Sequence, residues 1–147
     1  MKETGFNARV IPFGKMRAED LMEKDIPYYP PDAIGLTLAT AMISWKCGAI
    51  PIVDEQKQII GIVTEFDLLD ALMRGEDLEK VKASEIMAQE AKFVKQETMA
   101  EEIIKIMETL HLIHIPVVDS EGQLVGLIER SDILLAYLES RLTPSPP

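Results

Sequence analysis

The 147-residue sequence predicts a mixed α/β (α+β) fold: two β-α-β-β-α repeats packed about a pseudo-twofold axis. Two observations predict it. From residue 16 on, the chain matches itself without a gap at an offset of 65 residues, with twelve identical positions. These include Ala18/Ala83, Met22/Met87, Met42/Met107, Pro51/Pro116, Asp54/Asp119, Gln58/Gln123, Gly61/Gly126 and Asp67/Asp132. Within each copy, apolar residues spaced by three and four give way to short apolar runs between polar turns, a helix followed by strands.

Each copy opens on a short helix, Ala18–Met22 and Ala83–Met87, followed by an extended stretch, Pro27–Tyr29 and Lys92–Val94. A longer helix comes next, Ala33–Lys46 and Thr98–His111. Its apolar residues at 34, 38, 41, 42 and 45, and at 99, 103, 106, 107 and 110, define one buried stripe. Glu101 and Lys105 form a favourable i,i+4 pair on the polar face. Two strands follow, Ala49–Val53 with Ile59–Val63 and Ile113–Val118 with Leu124–Ile128, joined by short polar hairpin turns. Glu65–Met73 and Arg130–Leu138 are the closing helices. One copy of about 60 residues is too small to cover both faces of its sheet, so the copies should pack together. The expected divisions are an extension at 1–15, repeats at 16–75 and 83–140, a linker at 76–82 and a tail at 141–147. The extension and tail belong to neither copy and are expected to be flexible or engaged in oligomer contacts.

A formal net charge of −10 argues against nucleic-acid binding, which needs a basic footprint. Neither half hides one: residues 1–75 carry 8 basic and 11 acidic groups, residues 76–147 carry 7 and 14. The single cysteine, Cys47, fits a reducing, cytoplasmic setting and reads as an inert core thiol. No signal peptide is visible in residues 1–10. Ala33–Val53 is apolar except for Lys46, but its repeat partner carries Glu101, Glu102, Lys105 and Glu108, so the segment reads as buried core and not as a membrane span. No paired nucleophile and base, P-loop or metal cluster is present, and an enzyme is not expected. His111 and His114 end a helix and begin a strand, with no third ligand to complete a metal site.

The residues that carry a family resemblance are Ile-Pro-Ile-Val-Asp (50–54) and Ile-Pro-Val-Val-Asp (115–119). Each is followed by a glycine-to-aspartate motif, Gly61-Ile-Val-Thr64-Glu-Phe-Asp67 and Gly126-Leu-Ile-Glu129-Arg-Ser-Asp132. With Ala-x-x-Leu/Ile-Met opening each copy, the pattern resembles a tandem pair of cystathionine β-synthase (CBS) domains, a Bateman module. The resemblance implies a three-stranded mixed sheet per repeat and clefts between the repeats that take AMP, ADP or ATP, or alternatively S-adenosylmethionine or an NAD-type dinucleotide. It implies that Asp67 and Asp132 hold ribose hydroxyls, that Thr64 meets phosphate, and that His114 faces the nucleotide held by Thr64 and Asp67. Apolar slots for the base would come from Phe93, Ile113 and Pro116 for one site, and from Ile26 and Ala49 for the other.

The residue chemistry suits these roles. An ionised carboxylate can accept from both ribose hydroxyls, and free N–H groups at a helix start can receive a phosphate. Gly61 and Gly126 allow a ligand or a neighbouring backbone to approach closely. Thr-x-x-Asp before a helix also reads as a capping box, but the aspartate repeats where the threonine does not, which favours the ribose role. Glu129 departs from the family pattern. A carboxylate 4 Å from a phosphate costs about 4 kcal/mol at an effective dielectric near 20. The Thr64/Asp67 site should therefore prefer a phosphorylated ligand, and the Asp132 site should be empty, weaker, or suited to an uncharged or cationic adenosyl group. Arg130 beside the motif compensates only if it turns inward. The leading expectation is a nucleotide sensor that signals to a separate effector protein and forms a homodimer. The alternative is a structural or dimerisation module with vestigial clefts.

Overall fold

The computed structural model describes residues 11–142. After a 3-10 turn at Phe13–Lys15, they form eleven α-helices and β-strands: α1 (Ala18–Leu21), α2 (Gly35–Trp45), β1 (Ala49–Val53), β2 (Ile59–Thr64), α3 (Glu65–Met73), α4 (Ala83–Ile86), β3 (Val94–Lys95), α5 (Ala100–Leu110), β4 (His114–Val118), β5 (Leu124–Glu129) and α6 (Arg130–Leu142). The expected order is complete in the second copy and lacks only its first strand in the first copy, and among the described residues no helix is long and apolar enough to cross a membrane.

The described residues divide into two compact units that do not follow the sequence repeats. The first holds 11–24, 93–120 and 125–142; the second holds 25–92 and 121–124. The opening helix of each repeat is thus housed with the body of the other. In the first unit β3, β4 and β5 form one sheet in that order, with β3 parallel to β4. Residue 23, just after α1, joins β5 through an antiparallel bridge to Leu127. In the second unit β1 and β2 are antiparallel, with Ala49 opposite Thr64, and Ala88 after α4 bridges Ile62 in the same way.

These bridges explain two of the repeated identities. A side chain on Gly126 would meet Met22 Cγ at 2.8 Å and the Glu23 carbonyl at 2.9 Å; one on Gly61 would meet Met87 Cγ at 2.8 Å and the Ala88 carbonyl at 3.0 Å. Of the two reasons the sequence offers for these glycines, close backbone approach is the one realised on this side of each strand. The side on which a Cβ would stand is occupied by the chain itself and not open to ligand.

The third strand expected in the first repeat is reduced to one residue. Tyr29 bridges Ile52 in parallel, donating its N–H to Pro51 at 3.2 Å and accepting from Val53 at 3.0 Å. Pro27, Pro30 and Pro31 around it lack the N–H groups that would extend the ladder.

The core of the first unit joins Leu21 and Met22 to Val94, Ile103, Met107, Ile115, Val117, Ile128 and Ile133; that of the second joins Leu38, Met42, Ile50, Ile52, Val63 and Leu68 to Ala83. The helix stripes bury only their centres. Trp45 is 47% exposed and Leu110 49%, because α2 and α5 each end on a left-handed residue, Lys46 and His111 (φ 54° in both), that turns the chain away beneath the last helical turn. Residues 11–15, expected to belong to neither copy, contribute to the first unit. Ile11 and Phe13 pack on its core, and Phe13 meets the Tyr137 ring edge-on at 5.4 Å. Residues 1–10 and 143–147 lie outside the described residues.

The segment 76–82, expected as a linker, closes the N-terminus of α2. Gly35 N–H donates to the Val81 carbonyl at 2.8 Å and Leu36 N–H to that of Leu78 at 2.9 Å, so two N–H groups that a helix leaves open are satisfied. The hairpin turns are tied by their repeated glutamines. Gln58 Nε2 donates to the Glu121 carbonyl, and Gln123 Nε2 to that of Gln56, both at 2.8 Å. Gln58→Ala is expected to cost about 1 kcal/mol, the usual net value of one such bond; an unchanged urea midpoint would assign the pair no role in stability.

Candidate functional site

In the second unit, β2 delivers Thr64 to the N-cap of α3, with an extended backbone (φ −104°, ψ 167°) that stops the strand and starts the helix. Asp67 Oδ2 accepts the Thr64 N–H at 2.8 Å and the Thr64 hydroxyl at 3.1 Å. The same hydroxyl accepts the Asp67 N–H at 3.3 Å. The capping box is complete, and it engages only Oδ2. Oδ1 of this half-buried carboxylate has no hydrogen bond among the described residues. Of the first three N–H groups of α3, that of Glu65 goes to the Gly48 carbonyl at 3.1 Å and that of Asp67 to Thr64. Only the Phe66 N–H is left to meet an anion there.

In the first unit, β5 hands over to α6 through the same geometry. Asp132 is buried, 9% exposed, and its Oδ2 accepts the Glu129 N–H at 2.8 Å. Where Thr64 offers a hydroxyl, Glu129 offers a carboxylate, with Oε1 3.7 Å from His114 Nε2. This pairing follows from the hairpin: by the repeat, His114 and Glu129 correspond to Ala49 and Thr64, which face each other across β1 and β2. Sequence reasoning placed both residues near the motif but missed their partnership. Arg130 does not turn toward the aspartate. Its Nε donates to the Leu112 carbonyl at 2.8 Å, and the side chain lines a groove of about 480 Å³ between α5 and α6 with Ile104, Met107, His111 and Leu134.

The residues expected to line base slots are unevenly placed. Ala49 is fully buried and Pro116 is buried too, so both serve the strands they sit in and offer no surface to a ligand. Ile26 is half-buried, while Phe93 and Ile113 are exposed at the ends of the first unit's strands. Tyr28, beside Ile26, carries the Lys57 ammonium 4.9 Å from its ring centre, a cation–π contact that the sequence did not signal. Among the described residues no group of three or more His, Cys, Asp or Glu could hold a metal ion.

The duplicated strand–cap–helix motif defines a tandem-repeat architecture, and comparison with known proteins identifies it. The CBS domain family model matches residues 18–74 and 83–139, and the chain belongs to that family. It is 29% identical over 116 residues to the uncharacterized protein MK0525 of Methanopyrus kandleri, a match covering 78% of this chain and 59% of that one. The chain therefore spans about three fifths of that relative's length. The fold matches the CBS domain protein PAE2072 from Pyrobaculum aerophilum complexed with AMP (TM-score 0.75, 23% identity, 84% of this chain and 98% of that one). It also matches the CBS domain pair of protein MJ0100 in complex with 5'-methylthioadenosine and S-adenosyl-L-methionine (TM-score 0.75, 23% identity, 83% and 95%).

Proposed function

We propose that the chain is a ligand-sensing module that binds an adenine nucleotide of the AMP, ADP or ATP type at Thr64 and Asp67 and signals to a separate effector protein. The observation that carries this reading is the open Oδ1 of Asp67. A carboxylate whose capping duty occupies one oxygen retains the other for a sugar hydroxyl, and a charge-assisted bond of that kind is short and strong. The AMP and S-adenosylmethionine complexes of similarly folded CBS pairs support the ligand class. The module binds without performing chemistry, works as a homodimer and resides in the cytoplasm. A ligand shifts its conformation only by its differential affinity for the two states. Titration calorimetry with AMP, ATP and S-adenosylmethionine tests the proposal; absence of heat from all three at millimolar concentration sinks it.

At the other motif, Glu129 sets a carboxylate where Thr64 has a hydroxyl, so this half disfavours phosphate. Glu129→Thr is expected to improve AMP affinity at this half by on the order of tenfold, equivalent to 1.4 kcal/mol. An unaltered titration curve would show that Glu129 does not face the ligand. A structural or dimerisation module with vestigial clefts is the second reading. What favours it is that both aspartates already serve as helix caps.

A further inference from the structure

His114 opens β4 and Glu129 closes β5, so the hairpin brings an imidazole and a carboxylate together at one end of the first unit's sheet. The His114 side chain is 12% exposed and that of Glu129 32%, with Nε2 and Oε1 3.7 Å apart. At the equivalent places in the second unit Ala49 and Thr64 stand opposite each other, and neither side chain titrates near neutral pH. The pair belongs to one half of the duplication.

Other charges on the elements around His114 leave its partnership with Glu129 in place. Asp132 on α6 holds the Glu129 N–H at 2.8 Å, so a second carboxylate is anchored at this end. Arg130 sends Nε to the Leu112 carbonyl and lines the α5/α6 groove with Glu108 and His111. On β3, Lys95 lies level with Val118, at the far end of β4 from His114. On α1, the Asp20 carboxylate caps the Arg17 N–H, and Glu19 shares that helix. An imidazole with an unperturbed pKa of about 6.5 is the group beside Glu129 whose charge changes near neutral pH.

We propose that a proton on His114 sets which ligand charge the Asp132 half accepts. With the ring neutral, Glu129 and Asp132 present two negative charges, and this half rejects phosphate in favour of an uncharged or cationic adenosyl group. With the ring protonated, Glu129 is paired and a nucleoside monophosphate is admitted. The inference rests on the nucleotide reading above, carried to the second motif. Two bound species that favour one another do so reciprocally, so AMP binding here takes up a proton and AMP affinity rises as pH falls.

The chain holds two histidines, so an NMR titration of their ring protons follows both, and His111→Gln assigns them. In the ligand-free chain Glu129→Gln is expected to lower the His114 midpoint by about half a pH unit or more, because a neighbouring carboxylate favours the charged ring. This measurement needs no AMP and no change at Asp67. Calorimetry on Asp67→Ala, which leaves the second motif as the nucleotide site, is expected to show AMP binding about fivefold tighter at about pH 6 than at about pH 7.5. Adding His114→Gln should remove that gain; the comparison also cancels the ionisation of the phosphate itself, near about pH 6. A His114 midpoint indifferent to Glu129→Gln, equal affinity at both pH values, or a gain that survives His114→Gln would each overturn the inference. AMP binding that Asp67→Ala abolishes at both pH values would overturn it too, while leaving the Thr64/Asp67 reading intact. Proton-linked binding undiminished by Asp67→Ala would support it and refute the Thr64/Asp67 reading instead.

Discussion

Gly126→Val is expected to lower stability by about 3 kcal/mol, read as a fall in the urea midpoint without a change in its slope. The strand at Gly126 lies under Met22 and against the Glu23 carbonyl, 2.9 Å from where a Cβ would stand. A methionine can rotate away. The carbonyl cannot, because Glu23 and Leu127 exchange two backbone hydrogen bonds of 2.9 and 3.0 Å. Overpacking of this kind costs about 1–3 kcal/mol, and each strained bridge bond adds about 1 kcal/mol. Adding Met22→Ala should recover less than half of the loss, since it clears the side chain and leaves the carbonyl. The equivalent change at Gly61 should cost less, because the bonds between Ile62 and Ala88 are longer, 3.0 and 3.3 Å. A loss under about 0.5 kcal/mol, within the range of ordinary surface changes, would refute the packing account.

Asp67→Ala separates the two readings of the motif. Without nucleotide it should destabilise the chain by about 1–2 kcal/mol, the cost of losing a good cap. With AMP present it should also abolish most of the ligand-induced rise in melting temperature and weaken binding on the order of 30-fold, as expected for one charge-assisted hydrogen bond worth about 2 kcal/mol. Asp67→Asn keeps an oxygen for the Thr64 N–H, so it should recover much of the stability and little of the affinity. If AMP stabilises Asp67→Ala as well as the unaltered chain, the aspartate is a cap and nothing more, and AMP is held elsewhere.

The element order was legible because duplication sampled each pattern twice. β1 and α3 lie where the apolar run and the Thr64 cap place them, and β2, β4 and β5 differ by one residue at one end. α6 runs to Leu142, beyond the expected Leu138, since nothing in Glu139–Leu142 breaks a helix. The exchange of opening helices was harder to see. Periodicity records which face of an element is buried, not which copy buries it. The clue was present in the pairing of a repeated glycine with a repeated methionine, a gap and the side chain that fills it. The His114–Glu129 partnership was also recoverable, from hairpin register alone, but reading each residue against the ligand hid their reach toward each other. The stripe ends at Trp45 and Leu110 were misassigned to the core because helix periodicity does not show where the chain leaves the layer beneath.

The housing of each opening helix with the opposite body makes the two repeats poor candidates for separate life. A chain cut at Gly75 would yield one fragment whose sheet lacks Met87 to cover Gly61 and another lacking Met22 over Gly126. Neither piece would fold well by itself, yet mixed together they should complement each other. Evolution after the duplication could then not discard or replace one half without stranding the other.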